Sequence, residues 1–149
     1  MNKEQALGKV GLFERLNPKF IKGIAGICTE RSFKEGDFLM KQGDSGIGLF
    51  IILSGKVKVE KIDTSGKTVE LAENGAGDIL GEMAVFDGAP RSASVVATAE
   101  TNCLVLASWE FNSFLKAHPE AALELLPIVV KRFRETNDAL IGLGSIKHG

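Results

Sequence analysis

Histidine and cysteine are scarce in this chain, with two of each in 149 residues. A metal-dependent enzyme on a β-barrel needs several histidines converging on one point, and His118 and His148 both fall outside the stretch that reads as β. Cys28 and Cys103 have no CxxC spacing, which predicts two free buried thiols in a reducing cytoplasm rather than a metal or redox pair. No Ser/His/Asp or Cys/His constellation is visible, so the chain reads as a non-enzyme without metal or cofactor. Long apolar runs are also missing, which excludes a membrane-spanning helix. The opening MNKEQALGKVGLFERL carries Glu4 and Glu14 where a secretory signal would be uninterrupted. A formal net charge of -1 leaves no sustained attraction to nucleic acid or an anionic membrane. With 44% hydrophobic and 25% charged residues, the chain has the balance of one globular domain.

What is present falls into three parts. Leu12, Phe13, Leu16, Phe20, Ile21, Ile24 and Ile27 recur at helical spacing. Asn17-Pro18 supplies a cap and a first-turn proline, predicting one helix ending near Leu16 and another starting at Pro18. From Ser32 to Leu106, glycines punctuate short β-prone runs. Leu49-Phe50-Ile51-Ile52-Leu53 reads as a buried strand, and Val57 and Val59 alternating with lysines and Glu60 read as a strand with one wet face. Thr64 to Lys67 reads as the turn of a hairpin, and the glycines of Gly43 to Gly48 as a β-turn rather than a dinucleotide loop, since their spacing is wrong for one and no helix follows. After Ala107 the chain becomes helical again, with Ser108 as N-cap and a second helix from His118-Pro119. Pro127 inside that helix predicts a kink near Leu123 to Pro127. Beyond it Leu126, Val130, Phe133, Asn137 and Leu140 form a seam that suits either the β layer or a second copy of the helix. The expected fold is therefore mainly β with flanking helices: N-terminal helices over 1–31, a β-sandwich or barrel-like roll over 32–107, and a C-terminal helix pair over 108–143, in one domain spanning 1–149.

One segment, GDILGEMAVFDGAPRSASV, breaks the strand alternation. It sets a single carboxylate, Glu82, and a single guanidinium, Arg91, among small and apolar residues. Leu80 through Val85 is compatible with one helical turn whose free amides favour an anion. Arg91 adds a planar donor fork suited to phosphate oxygens, and Ser92 and Ala93 allow close approach. Glu82 only accepts hydrogen bonds, which suits a hydroxyl on the same ligand. Phosphate and hydroxyl at fixed separation describe a ribose phosphate. The alternative is a solvated surface pair in which Glu82 and Arg91 bind only each other.

Gly81-Glu82-Met83-Ala84 followed by Pro90-Arg91-Ser92-Ala93-Ser94 resembles the phosphate-binding cassette of the cyclic nucleotide-binding domain family. Phe33 to Asp37, Gly43-Asp44, Phe50-Ile51-Ile52 and Gly55 to Val57 resemble that family's β-roll signature in the same order, and the likeness runs from about Leu12 to about Leu143. The resemblance implies an antiparallel β-roll of the double-stranded β-helix or jelly-roll type. It implies that Glu82 accepts from the ribose 2′-hydroxyl and that Arg91 pairs with the cyclic phosphate, with Gly81, Met83, Ala84, Ser92 and Ala93 around them. Val57 and Leu71 would flank the base. By similarity to the sensor domain of bacterial cyclic AMP receptor proteins, Arg132, Thr136 and Asn137 on the last helix would lie at the base end.

Two ligands remain open, cyclic AMP and cyclic GMP, with cyclic AMP favoured; Ser92, Thr136 and Asn137 are compatible with either purine. The expected role is a non-catalytic cytoplasmic sensor that signals by moving its C-terminal helices, without nucleic-acid binding or a membrane span of its own. Its partner would be a second copy joined through the last helix, or an effector protein. The alternatives are a sensor fragment of a larger transcription regulator, whose helix-turn-helix would follow the long helix, and a ligand-free interaction module that keeps the fold.

Overall fold

The computed structural model describes residues 2–142. In chain order the elements are α1 (Lys3–Gly8), α2 (Pro18–Ile27), β1 (Thr29–Phe33), β2 (Phe38–Met40), β3 (Gly48–Ser54), β4 (Lys56–Ile62), β5 (Thr68–Gly75), β6 (Ile79–Leu80), α3 (Ala84–Asp87), β7 (Ser94–Ala97), β8 (Thr101–Ala107), α4 (Ser108–Ala117) and α5 (Pro119–Gly142). The eight strands form two antiparallel four-stranded sheets, ordered β1-β8-β3-β6 and β2-β7-β4-β5. This is the antiparallel roll with flanking helices.

The continuous apolar run of β3 has a direct cause: its sheet is covered on both faces, so neither side of the strand can be polar. Leu49 and Ile51 point into a core shared with the helices, whereas Phe50 and Ile52 point into a second core between the sheets. β8 repeats the pattern, with Leu104 and Leu106 on the helical side and Cys103 and Val105 between the sheets. The β2-β7-β4-β5 sheet has only one covered face. Val57 on β4 is fully buried while Lys56 is exposed and Lys58 half-buried.

Several boundaries differ from the sequence expectation for local reasons. Asn2 and Gln5 close a reciprocal capping box that starts α1 at Lys3. The chain then leaves the helix at Gly8, so Val10, Leu12, Phe13 and Leu16 are buried from turns rather than from a helix ending near Leu16. Asn17 does cap α2, its side chain accepting from the Lys19 amide, with Pro18 in the first turn. The roll begins at Thr29 rather than at 32, because β1 is an edge strand whose only buried residue is Phe33, leaving no alternation to read. Ser108 is not the N-cap of α4. β8 runs straight into the helix from Ala107, and the buried Ser108 donates its amide to the Ile47 carbonyl at 2.8 Å. α5 continues through Pro127, although proline has no amide to give to the preceding turn.

The first half of α5 is anchored in the helical core through Ala121 and Leu125. The second half stands clear of it, and Leu126, Val130, Phe133 and Leu140 of the sequence seam are all exposed, Phe133 to 71%. No helix among the described residues is long and apolar enough to cross a membrane. His148 lies outside the described residues.

Candidate functional site

The segment between β6 and β7 is the one long interruption of the roll, and the glycine loop before β3 holds it in place. Gly43 donates its amide to the Arg91 carbonyl at 2.8 Å, and Arg91 returns its own amide to the Asp44 carbonyl at 2.9 Å. Gly46 donates to the carbonyls of Gly88 and Ala89 at 2.9 and 3.1 Å, and Ser45 bridges to Pro90. A β-carbon at Gly46 would sit 2.8 Å from the Ala89 carbonyl oxygen, so the two loops meet only because that side chain is missing. The Gly43–Gly48 loop is thus a brace for the Arg91 segment, a role that reading it as a plain turn missed. The spacing of its glycines offered the only available signal.

The helical turn of this segment falls at Ala84–Asp87, later than the Leu80–Val85 stretch the sequence predicts for it, because Ile79 and Leu80 are taken up as β6 against β3. Gly81 lies between the two elements with φ +72°, a conformation that side-chain-bearing residues adopt only with strain. A β-carbon there would also lie 2.7 Å from the Gly48 carbonyl oxygen and 2.9 Å from Arg91 Cζ. Gly81 therefore forms the floor on which the guanidinium rests.

Arg91 is half-buried, and its Nη2 donates to the Gly48 carbonyl oxygen. Burial pulls the guanidinium below its ordinary pKa, though an arginine remains charged at neutral pH. Among the described residues no carboxylate pairs with it. A half-buried permanent cation with only a carbonyl for company is poised for an anion. A cavity of about 240 Å³ adjoins Arg91, lined by Met40, Ile47 and Phe50 together with Arg31, Lys41 and Asp44.

Glu82 is not the partner of Arg91, which removes the reading of a solvated pair between them. Its Oε1 is bound by Nη1 of Arg132, far along the chain in α5. Both atoms are sealed from solvent and have no other partner. Arg132, assigned by resemblance to the base end, thus lies against the carboxylate. Thr136, one helical turn further along α5, is exposed, as is Asn137.

The remaining residues differ in what they present. Ser92 and Met83 are exposed, and Ala84 and Ala93 half-buried. Leu71 is 55% exposed on β5. It is the extra residue of a β-bulge, since Val59 faces Ala72 and Glu60 faces Glu70. Val57 is enclosed in the core between the sheets and offers no surface, whereas Val59, two residues on, is only partly buried. Burial pushes the thiols of Cys28 and Cys103 up to about 12 and about 11, so both stay protonated at neutral pH and neither is a ready nucleophile. Among the described residues no group of three or more His, Cys, Asp or Glu could hold a metal.

Over residues 30–118 the chain matches the family described as the cyclic nucleotide-binding domain. It is 29% identical over 140 residues to a CRP-like cAMP-activated global transcriptional regulator of Mycobacterium tuberculosis, covering 94% of this chain and 62% of the regulator. It is 31% identical over 126 residues to a cyclic AMP receptor protein of Thermus thermophilus, covering 85% of this chain and 58% of that one. The N-terminal domain of a transcriptional regulator from Streptomyces coelicolor superposes with a TM-score of 0.81 at 33% identity, covering 90% of this chain and 93% of that domain. The chain thus spans about 60% of the length of the two full-length regulators it matches.

Proposed function

The chain belongs to the cyclic nucleotide-binding domain family, and from that premise we propose that it is a non-catalytic, cytoplasmic sensor of a 3′,5′-cyclic nucleotide, cyclic AMP in preference to cyclic GMP, that signals through α5. The observation that carries this reading is the half-buried Arg91, which has no carboxylate partner among the described residues and rests on Gly81. A cyclic phosphodiester brings the anion that this guanidinium lacks, and its oxygens replace the Gly48 carbonyl as acceptors. Gly81 and the small residues Ala84, Ser92 and Ala93 leave room for the phosphate and ribose to approach. Glu82, oriented by Arg132, accepts from the ribose 2′-hydroxyl. The base then lies toward Leu71, where Val59 provides the apolar surface that enclosed Val57 does not. Thr136 and Asn137 supply the purine-edge contacts.

Signalling follows from where Arg132 sits. A ligand shifts a conformational equilibrium only through contacts that differ between the states. Glu82 touches both the ligand and α5, so occupying the site changes the contact that ties this helix to the roll. The exposed seam of α5 is the surface on which the change is read, and a second copy of the same helix is the partner it fits, with Leu126, Val130, Phe133 and Leu140 along one face. The regulators named above are longer proteins, and only their ligand-sensing role is assigned to this span. Its net charge of -1 provides no basis for nucleic-acid binding by the span itself.

The test is calorimetric titration with cyclic AMP and cyclic GMP side by side, on the wild type and on Arg91→Ala. Binding by the wild type, tighter for cyclic AMP and weakened by the substitution, is expected. No binding of either nucleotide at millimolar concentration, or equal affinities for wild type and variant, overturns the assignment.

A further inference from the structure

Gly11 has no conformational need for glycine, since its φ is not positive. Its surroundings are unusual all the same. A β-carbon built there would lie 3.4 Å from Nη1 of Arg132 and 3.7 Å from Oε1 of Glu82, the two atoms that bind each other out of contact with water. The backbone at Gly11 is therefore a cover laid over the Glu82–Arg132 pair. That cover is fixed in place: Val10, Leu12 and Phe13 on either side are fully buried in the helical core, and the Val10 carbonyl accepts from the Phe13 and Glu14 amides at 2.8 and 3.0 Å.

We propose that Gly11 is a positioning residue for the ligand site, acting through Arg132. This rests on the reading of Glu82 as a ligand contact given above. The cover excludes water from an ion pair, which strengthens the attraction between its members and makes the loss of either one expensive. The missing side chain lets the guanidinium lie against the carboxylate instead of being pushed outward. Because the backbone is anchored on both sides, a larger side chain at position 11 crowds Arg132, whose partly exposed side chain is the group free to shift. The distances grade the effect. A methyl group at 3.4 Å is in ordinary contact, whereas a branched side chain adds carbons beyond that contact and beside the guanidinium. The N-terminal segment thereby becomes a third component of the site, besides the roll and α5.

The experiment titrates cyclic AMP and cyclic GMP into the whole chain carrying Gly11→Ala, Gly11→Ser or Gly11→Val, each made in the wild-type and Arg132→Ala backgrounds, with thermal melts to confirm folding. In the wild-type background Gly11→Ala is expected to bind within about threefold of the parent and Gly11→Val about tenfold more weakly, with Gly11→Ser between them. In the Arg132→Ala background the same substitutions are expected to change affinity by less than about twofold, because the group they displace is gone. A purely structural effect would appear equally in both backgrounds. Equal losses in the two backgrounds, or wild-type affinity for both Gly11→Val and Gly11→Ser, overturn the proposal while leaving the sensor reading standing. If Gly11→Val does not fold, the Gly11→Ser pair decides by the same criterion. A wild-type chain that binds neither nucleotide overturns both readings.

Discussion

The two charged ends of the proposed site are built in opposite ways. At the Arg91 end, almost every contact comes from inside the roll and from backbone: the Gly48 carbonyl, the floor at Gly81, and the amide and carbonyl exchanges with Gly43 and Asp44. At the Glu82 end, the carboxylate is held by a side chain from α5 and covered by the segment after α1. One end is held by the backbone of the roll itself, and the other is a junction of three parts of the chain. A rigid end suits affinity, since preorganised donors need little reordering on binding. A junction suits signalling, since it is where a ligand can bias the arrangement of separate elements.

That division predicts a graded set of losses. The largest belongs to Gly81→Ala. It forces a β-carbon against the Gly48 carbonyl and the guanidinium at positive φ. We expect loss of measurable nucleotide binding together with about 1–3 kcal/mol of stability, checked by titration and urea unfolding. Next comes Arg91→Ala, expected to lower affinity by roughly 30- to 150-fold, the equivalent of about 2–3 kcal/mol for a charge-assisted hydrogen bond, with little change in stability. Stability falling more than affinity in that variant would mean that the Arg91 end is scaffold rather than grip.

Glu82→Gln should reduce affinity by about tenfold. Here the comparison can be sharpened, because Arg132→Ala should cost a similar amount and the double variant little more than either alone. Fully additive losses would break the picture of a junction. Smallest for binding is Phe133→Asp on the exposed seam, expected to leave nucleotide affinity within about threefold while abolishing self-association, measured by light scattering across a concentration series. A wild-type chain that is monomeric at all concentrations would remove the second copy from the proposal.

The sequence made some of these features readable and hid others, for physical reasons. β3 was legible because burial on both faces demands an unbroken apolar run, and β4 because one wet face demands alternation. The start of α2 was legible because a cap is a local event between neighbouring residues. Glu82 and Arg91 were legible as charges isolated among small residues. The start of β1 was not, since an edge strand with one buried residue carries no pattern. Nor was the entry to α4, where a carbonyl from a distant loop takes the Ser108 amide and no side-chain cap forms.

By itself, the order of residues determined which parts of the chain become strands and helices, and which short segment sets a lone arginine near a lone acid among small residues. These depend on periodicity and on the few conformations open to glycine and proline, all of which act between near neighbours. Only the tertiary structure decided that Glu82 would answer to Arg132 rather than Arg91, and that Gly11 would lie over the pair. Those contacts join residues far apart in the chain, and no local rule encodes a meeting that exists only once the two sheets and the helices have packed.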